Sequence, residues 1–181
     1  MTDVPEAARD VVSLLTFQHG QILTLFAATV DGSGERRAAN FTALRQLVAV
    51  HEMTEQEIVH PRARHELEDG QAVVSARLLE EQAIVDMFGD LELLGVSSPS
   101  FVEGVRQLQS HIRAHLQAEE GLEFSGLQVQ LGVRQLRRMA KAVQLADEVL
   151  SAGEATLVEP FAAMLEQARY AISACQQDTD R

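Results

Sequence analysis

The sequence predicts an all-α fold: an antiparallel up-down four-helix bundle with two additional C-terminal helices. Three observations carry this reading. Long runs of Ala, Leu, Gln, Glu and Arg favour helix, and the 181 residues include four prolines and no tryptophan. Apolar residues recur at alternating steps of three and four, the repeat of one buried helix face. Connections of roughly four to eleven residues join the early stretches, which favours antiparallel neighbours. An apolar content of 46% suffices for one sizeable core.

Asp3 followed by Glu6 predicts the cap of a first helix over residues 4–29, with Ala8, Val12, Leu15, His19, Ile22 and Phe26 on its seam. Asp31-Gly32-Ser33-Gly34 is a turn by composition. The second helix spans 35–60 with the stripe Phe41, Leu44, Val48, His51, Glu55, Ile58. Pro61 ends or bends it, because proline lacks the backbone donor and clashes with the preceding turn, and Arg62 to Leu67 continues as a short helix. The third helix spans 72–94 with Val74, Leu78, Glu81, Val85 and Phe88 in line. Ser98-Pro99 then caps a fourth helix over 99–124, carrying Val105, Leu108, Ile112, His115, Glu119 and Leu122. A fifth helix ends near Leu150, Ser151-Ala152-Gly153 breaks it, and Pro160 opens a last one with Phe161, Met164, Leu165, Ala168 and Ile172 on one face. Residues 1–125 are thus the bundle. Residues 126–181 are an extension that covers the bundle or makes a subunit contact, such as a homodimer through the C-terminal helices.

No uninterrupted apolar run reaches eighteen residues, so no membrane span is expected, and the acidic N-terminus lacks the basic and apolar parts of a signal peptide. Cys175 is the single cysteine, which excludes an internal disulfide and makes a cytoplasmic location the default. A net charge of −12 argues against nucleic acid as a partner.

Each predicted seam is interrupted by residues that do not belong in a core. His51 and Glu55 lie four apart, so an imidazole and a carboxylate project side by side from the face to be buried. A single pair of this kind is commonly an ordinary hydrogen bond. The pattern, however, recurs as His115 and Glu119, while the first helix contributes His19 and the third Glu81. The spacings repeat as well: 32 residues separate His19 from His51, and 34 separate Glu81 from His115. The chain reads as two helical hairpins in tandem. At about 1.5 Å per residue, His19 and His51 differ in height by about one turn. The six groups His19, His51, Glu55, Glu81, His115 and Glu119 should therefore meet at one level of the core. That is too many ligands for one tetrahedral zinc and suits two first-row transition ions with bridging carboxylates.

His19, the segment His51-Glu52-Met53-Thr54-Glu55-Gln56-Glu57-Ile58-Val59-His60-Pro61, and His115-Leu116-Gln117-Ala118-Glu119-Glu120 together resemble the bacterial hemerythrin-like HHE cation-binding family over roughly residues 8–125. The resemblance implies a four-helix bundle with a non-heme di-iron centre, an oxo- or hydroxo-bridged pair for which manganese or zinc can substitute. Two departures stand out. Where relatives place a third-helix histidine this chain has Glu81-Gln82, with Glu81 on the seam, and Ser125 replaces the proline after the second motif.

Other candidates carry blander readings. His111, one turn before His115, is a reserve ligand on the flank of the seam; Glu52 and Glu120 face solvent; His60 is a helix-end or packing residue; His65 and Tyr170 are surface or structural; Met53 and Met87 pack. The functional expectation is a di-iron protein that binds or reduces a small oxidant (peroxide, dioxygen or nitric oxide), with catalase- or peroxidase-like turnover and a role in oxidative stress. The alternatives are an oxygen or iron sensor or store without turnover, and a metal-stabilised interaction protein. No catalytic group is expected beyond the metal ligands.

Overall fold

A computed structural model of the chain describes residues 10–151 and 159–179. Among these, every regular element is helical: α1 (Val11–Asp31), α2 (Gly34–Thr54), α3 (His60–Glu66), α4 (Gly70–Leu94), α5 (Phe101–Ala118), α6 (Ser125–Gln130), α7 (Val133–Ser151) and α8 (Phe161–Thr179). Two π-helical turns, Glu55–Val59 and Glu119–Phe124, join α2 to α3 and α5 to α6 without a break. The four bundle helices are therefore α1, α2 with α3, α4, and α5 with α6. Helix α1 packs on α2 and α5, and α4 packs on α3 and α5. This is the predicted all-α class.

Helix α1 starts later than expected. Asp10 is its cap, extended at φ −133° and accepting from the Ser13 N–H at 2.9 Å. Asp3, Glu6 and Ala8 lie outside the described residues. By length and composition α1 could cross a membrane. Here Val11, Leu14, Leu15, Ile22 and Phe26 are buried in the bundle. Gly34 opens α2 at φ +53° and Gly95 closes α4 at φ +76°, backbone geometry that glycine adopts without strain. The fourth helix opens at Phe101 rather than Pro99, and runs on to Gln130 rather than stopping at Phe124.

The π turns change which residues face inward. On an α-helix a residue five positions on is rotated by about 140°, close to the opposite face. One extra residue in a turn cuts that to about 40°. Phe124, five after Glu119, is accordingly buried, and Leu122, placed on the seam by the plain α repeat, is 61% exposed. His60, five after Glu55, is likewise turned into the core at 1% exposure. Proline does not end the second helix, because Pro61 sits in the first turn after the widened segment, where its missing donor is tolerated. On α4 the buried line is Val74, Arg77, Glu81, Ile84, Phe88 and Leu91, and Leu78 and Val85 flank it half-buried.

Helix α8 packs along α2, and α7 packs on α8 and α1. The five apolar residues predicted for the last helix are all buried. Its start is pinned by Glu92 on α4, which accepts from the Phe161 N–H at 2.7 Å and from Arg45 Nη1 at 2.5 Å; Arg45 also donates to the Glu159 carbonyl at 2.9 Å. Phe161 stacks on Phe88 with centroids 4.2 Å apart. Phe88 thus joins the bundle to its cover, and Phe88→Ala should cost about 3–5 kcal/mol. Chemical denaturation of the two proteins measures this.

Candidate metal centre

The structure brings His19, His51, Glu55, Glu81, His115 and Glu119 to one buried cluster and adds Glu52 to them. Ligating atoms of His19, His51, Glu55 and Glu119 lie within 4.8 Å of one another, and those of Glu52, Glu55, Glu81 and His115 do the same. Glu55 belongs to both sets. Glu119 reaches the second as well, since its Oε1 is 2.6 Å from His115 Nε2 while its Oε2 is 3.4 Å from His19 Nε2. His51 Nε2 stands 3.6 Å from Glu55 Oε1, and His115 Nε2 3.7 Å from Glu52 Oε2. Ligands held about 2.0–2.2 Å from one ion stand roughly 3–4 Å apart, so the 3.4, 3.6 and 3.7 Å separations match shared coordination, and the 2.6 Å approach of Glu119 to His115 is closer than that.

The tautomers are set from behind. His19 Nδ1 donates to Glu120 Oε1 at 2.6 Å, His51 Nδ1 to Gln18 Oε1 at 3.1 Å, and His115 Nδ1 to Glu80 Oε2 at 2.8 Å. Arg77 Nη2 in turn donates to Glu80 at 2.7 Å. With a proton of each ring committed at Nδ1, Nε2 is the nitrogen left to offer a lone pair to a metal, which is the arrangement metal-ligating histidines adopt.

Those inward atoms have no hydrogen-bond partner. Among the described residues, Nε2 of His19, His51 and His115, Oε2 of Glu52, and both oxygens of Glu55 and Glu119 are buried and unsatisfied. Burying even one such group costs about 1–3 kcal/mol, and charged groups cost more. Eight of them gathered in two overlapping sets form a donor cluster suited to cations.

The metal-free electrostatics agree. Burial pushes the Glu52 carboxyl up to about 7, against the pull of His115. Glu55 is held well above the usual carboxylate range, by burial first and then by the charge of Glu119. Burial, with His19 next, pushes His51 down to about 3. Burial opposes the charge on His115, but Glu52 and Glu119 outweigh it and raise the imidazole to about 12. Burial likewise opposes ionisation of Glu119, yet the close approach of His115 and then of His19 holds it well below its ordinary range. Without metal the cluster gathers protons where positive charge is wanted. A carboxyl already protonated tolerates a neutral isostere, so Glu55→Gln should change metal-free stability by no more than about 1 kcal/mol. It should abolish the stabilisation that saturating metal gives the wild-type chain, about 2.7 kcal/mol at a hundredfold excess over the dissociation constant. Thermal melts with and without metal measure both.

Three sequence expectations need correction. Glu52 is 2% exposed and faces the cluster instead of solvent. Its neighbour on the seam, His51, made Glu52 look like a flanking residue, but His115 on α5 and Glu81 on α4 lie against it. Glu120, 46% exposed, orients His19 rather than simply facing water. His60, expected as a helix-end or packing residue, does open α3 and is buried, but it also bonds two carboxylates. Its Nε2 donates to Glu81 Oε1 at 2.6 Å and its Nδ1 to Glu123 Oε1 at 2.8 Å. Burial opposes its charge, but the two carboxylates raise it to about 9. The remaining candidates stay outside the cluster. Gln82 is exposed and donates to Asp86 at 3.0 Å, His65 is exposed, and His111 joins neither ligand set.

Comparison with known proteins places this fold and cluster in a class. The hemerythrin HHE cation binding domain model matches residues 10–126. The chain therefore belongs to the hemerythrin HHE cation-binding domain family, and it is a metal-binding protein. A crystal structure of a hemerythrin HHE cation binding domain-containing protein from Mycobacterium kansasii, an Rv2633c homolog, is similar with a TM-score of 0.74 at 18% identity. The match covers 87% of this chain and 98% of that one, so the likeness extends past the bundle into the C-terminal helices. No curated protein matches the sequence.

Proposed function

We propose that the chain is a non-heme di-iron protein that binds or reduces a small oxidant: peroxide, dioxygen or nitric oxide. The observation that carries this reading is the pair of four-residue ligand sets sharing Glu55, each with buried unsatisfied atoms. Charge supports two ions over one. Glu52, Glu55, Glu81 and Glu119 bring four negative charges, which two divalent ions balance and one leaves half-balanced. Three imidazoles and four carboxylates are a donor set for first-row transition ions.

When bound, an iron pair supplies the electrons for oxidant chemistry. The chain's residues do the rest. Gln18, Glu80 and Glu120 hold the imidazoles in the ligating tautomer. Phe124 stacks on His19 with centroids 5.5 Å apart, and burial of the whole cluster keeps bulk water away. No further acid or base is needed in this account. The setting is the cytoplasm.

The carboxylate at position 81 directs the choice among oxidants. Glu81, an anionic ligand in place of a neutral histidine, would hold a bound iron pair at a lower reduction potential and favour its ferric form at rest. Such a pair would supply the redox capacity for peroxide dismutation, with one peroxide as reductant and a second as oxidant. The iron-loaded protein should therefore absorb in the near ultraviolet, consume peroxide, and form no long-lived oxy complex. Glu81→His should raise the potential and slow peroxide consumption. A reversible oxy complex in a wild-type protein that ignores peroxide would replace this reading with oxygen carriage or sensing.

A further inference from the structure

Glu81 differs from the other three carboxylates of the cluster. Glu52, Glu55 and Glu119 each have buried oxygens without a hydrogen bond, whereas both oxygens of Glu81 are engaged from behind. Oε1 accepts from His60 Nε2 at 2.6 Å, and Oε2 accepts from Gln56 Nε2 at 2.5 Å. His60 is itself held by Glu123 Oε1 at 2.8 Å, and His60 and Glu123 are each 1% exposed. Each grip depends on a π turn. Gln56 lies within the first, His60 follows it directly, and Glu123 lies within the second.

The two metal positions are consequently unlike. At one, His19 and His51 add two nitrogens to the shared carboxylates, and their supports are Glu120 and Gln18. At the other, His115 is joined by Glu52 and Glu81, and half of that pair is held by His60. We propose that His60, braced by Glu123, is a positioning residue that sets the reach of the Glu81 carboxylate and so secures the metal position formed with Glu52 and His115. Gln56 sets the carboxylate plane from the other side. The inference rests on the dinuclear reading. It adds that the two positions have separate supports and can be weakened one at a time.

Outer hydrogen-bond partners of metal ligands are worth about 10–100-fold in affinity. The test is titration of the full metal-free chain with cobalt(II), whose ligand-field absorption reports each equivalent and its coordination. Wild type should take up two equivalents. His60→Leu should bind the first within about threefold of wild type and the second about 10–100-fold more weakly. His60→Gln, which keeps a donor for Glu81, should recover most of that loss. Glu123→Gln, which leaves an acceptor for His60, should lose part of the second affinity and keeps the question answerable if His60→Leu does not fold. Equal weakening of both equivalents, no weakening of either, or no recovery in His60→Gln would overturn the positioning role. A wild-type chain that takes up fewer than two equivalents would overturn the dinuclear reading, and this proposal with it.

Discussion

Seven ionisable side chains are buried at one level of a helical bundle, six of them with inward atoms unsatisfied, and the rest of the structure is arranged around that constraint. Hydrogen bonds could have quenched these groups, as they do for both ring nitrogens of His60 a few ångströms away. Instead the bonds go to the far side of each ring, on Gln18, Glu80 and Glu120. Polar groups left open toward a shared centre and fastened behind it are costly in a metal-free protein. They become favourable when a cation supplies the missing charge, so the binding free energy of metal is also folding free energy.

Much of this was legible in the sequence. Period-3.6 stripes located α1, α2 and α5, and the repeated His-x-x-x-Glu pair located the level of the cluster, because an ordinary α-helix keeps residues four apart on one face. Legibility ended where the helix stopped being ordinary. Both π turns begin at the glutamate of the repeated pair. The added residue carries His60 and Phe124 inward and Leu122 outward, against the plain repeat. A proline six residues after Glu55 hinted at irregularity in the first motif. The second motif has Ser125 at that place and makes a π turn all the same. Glu52 escaped for a different reason. Being adjacent to His51, it shares no α-helical seam with it, and it becomes inward-facing because His115 on α5 and Glu81 on α4 lie against it.

The C-terminal helices acquire a structural role from the same geometry. Helix α8 covers α2 over the length that carries the first motif, and its start is fastened to α4 by Glu92 and by the Phe88–Phe161 stack. Arg169 on α8 reaches Gln56 Oε1 at 3.4 Å, the residue that also holds Glu81. The cover thus touches the supports of the cluster.

The central claim is that two ions satisfy the inward atoms, and anomalous scattering tests it most directly. A crystal of the iron-loaded protein measured on both sides of the iron edge should give two peaks per chain. One should lie against Nε2 of His19 and His51, and the other against His115, Glu52 and Glu81, with Glu55 and Glu119 touching both. A single peak, or none with the imidazole Nε2 atoms turned into hydrogen bonds within the protein, would contradict the account.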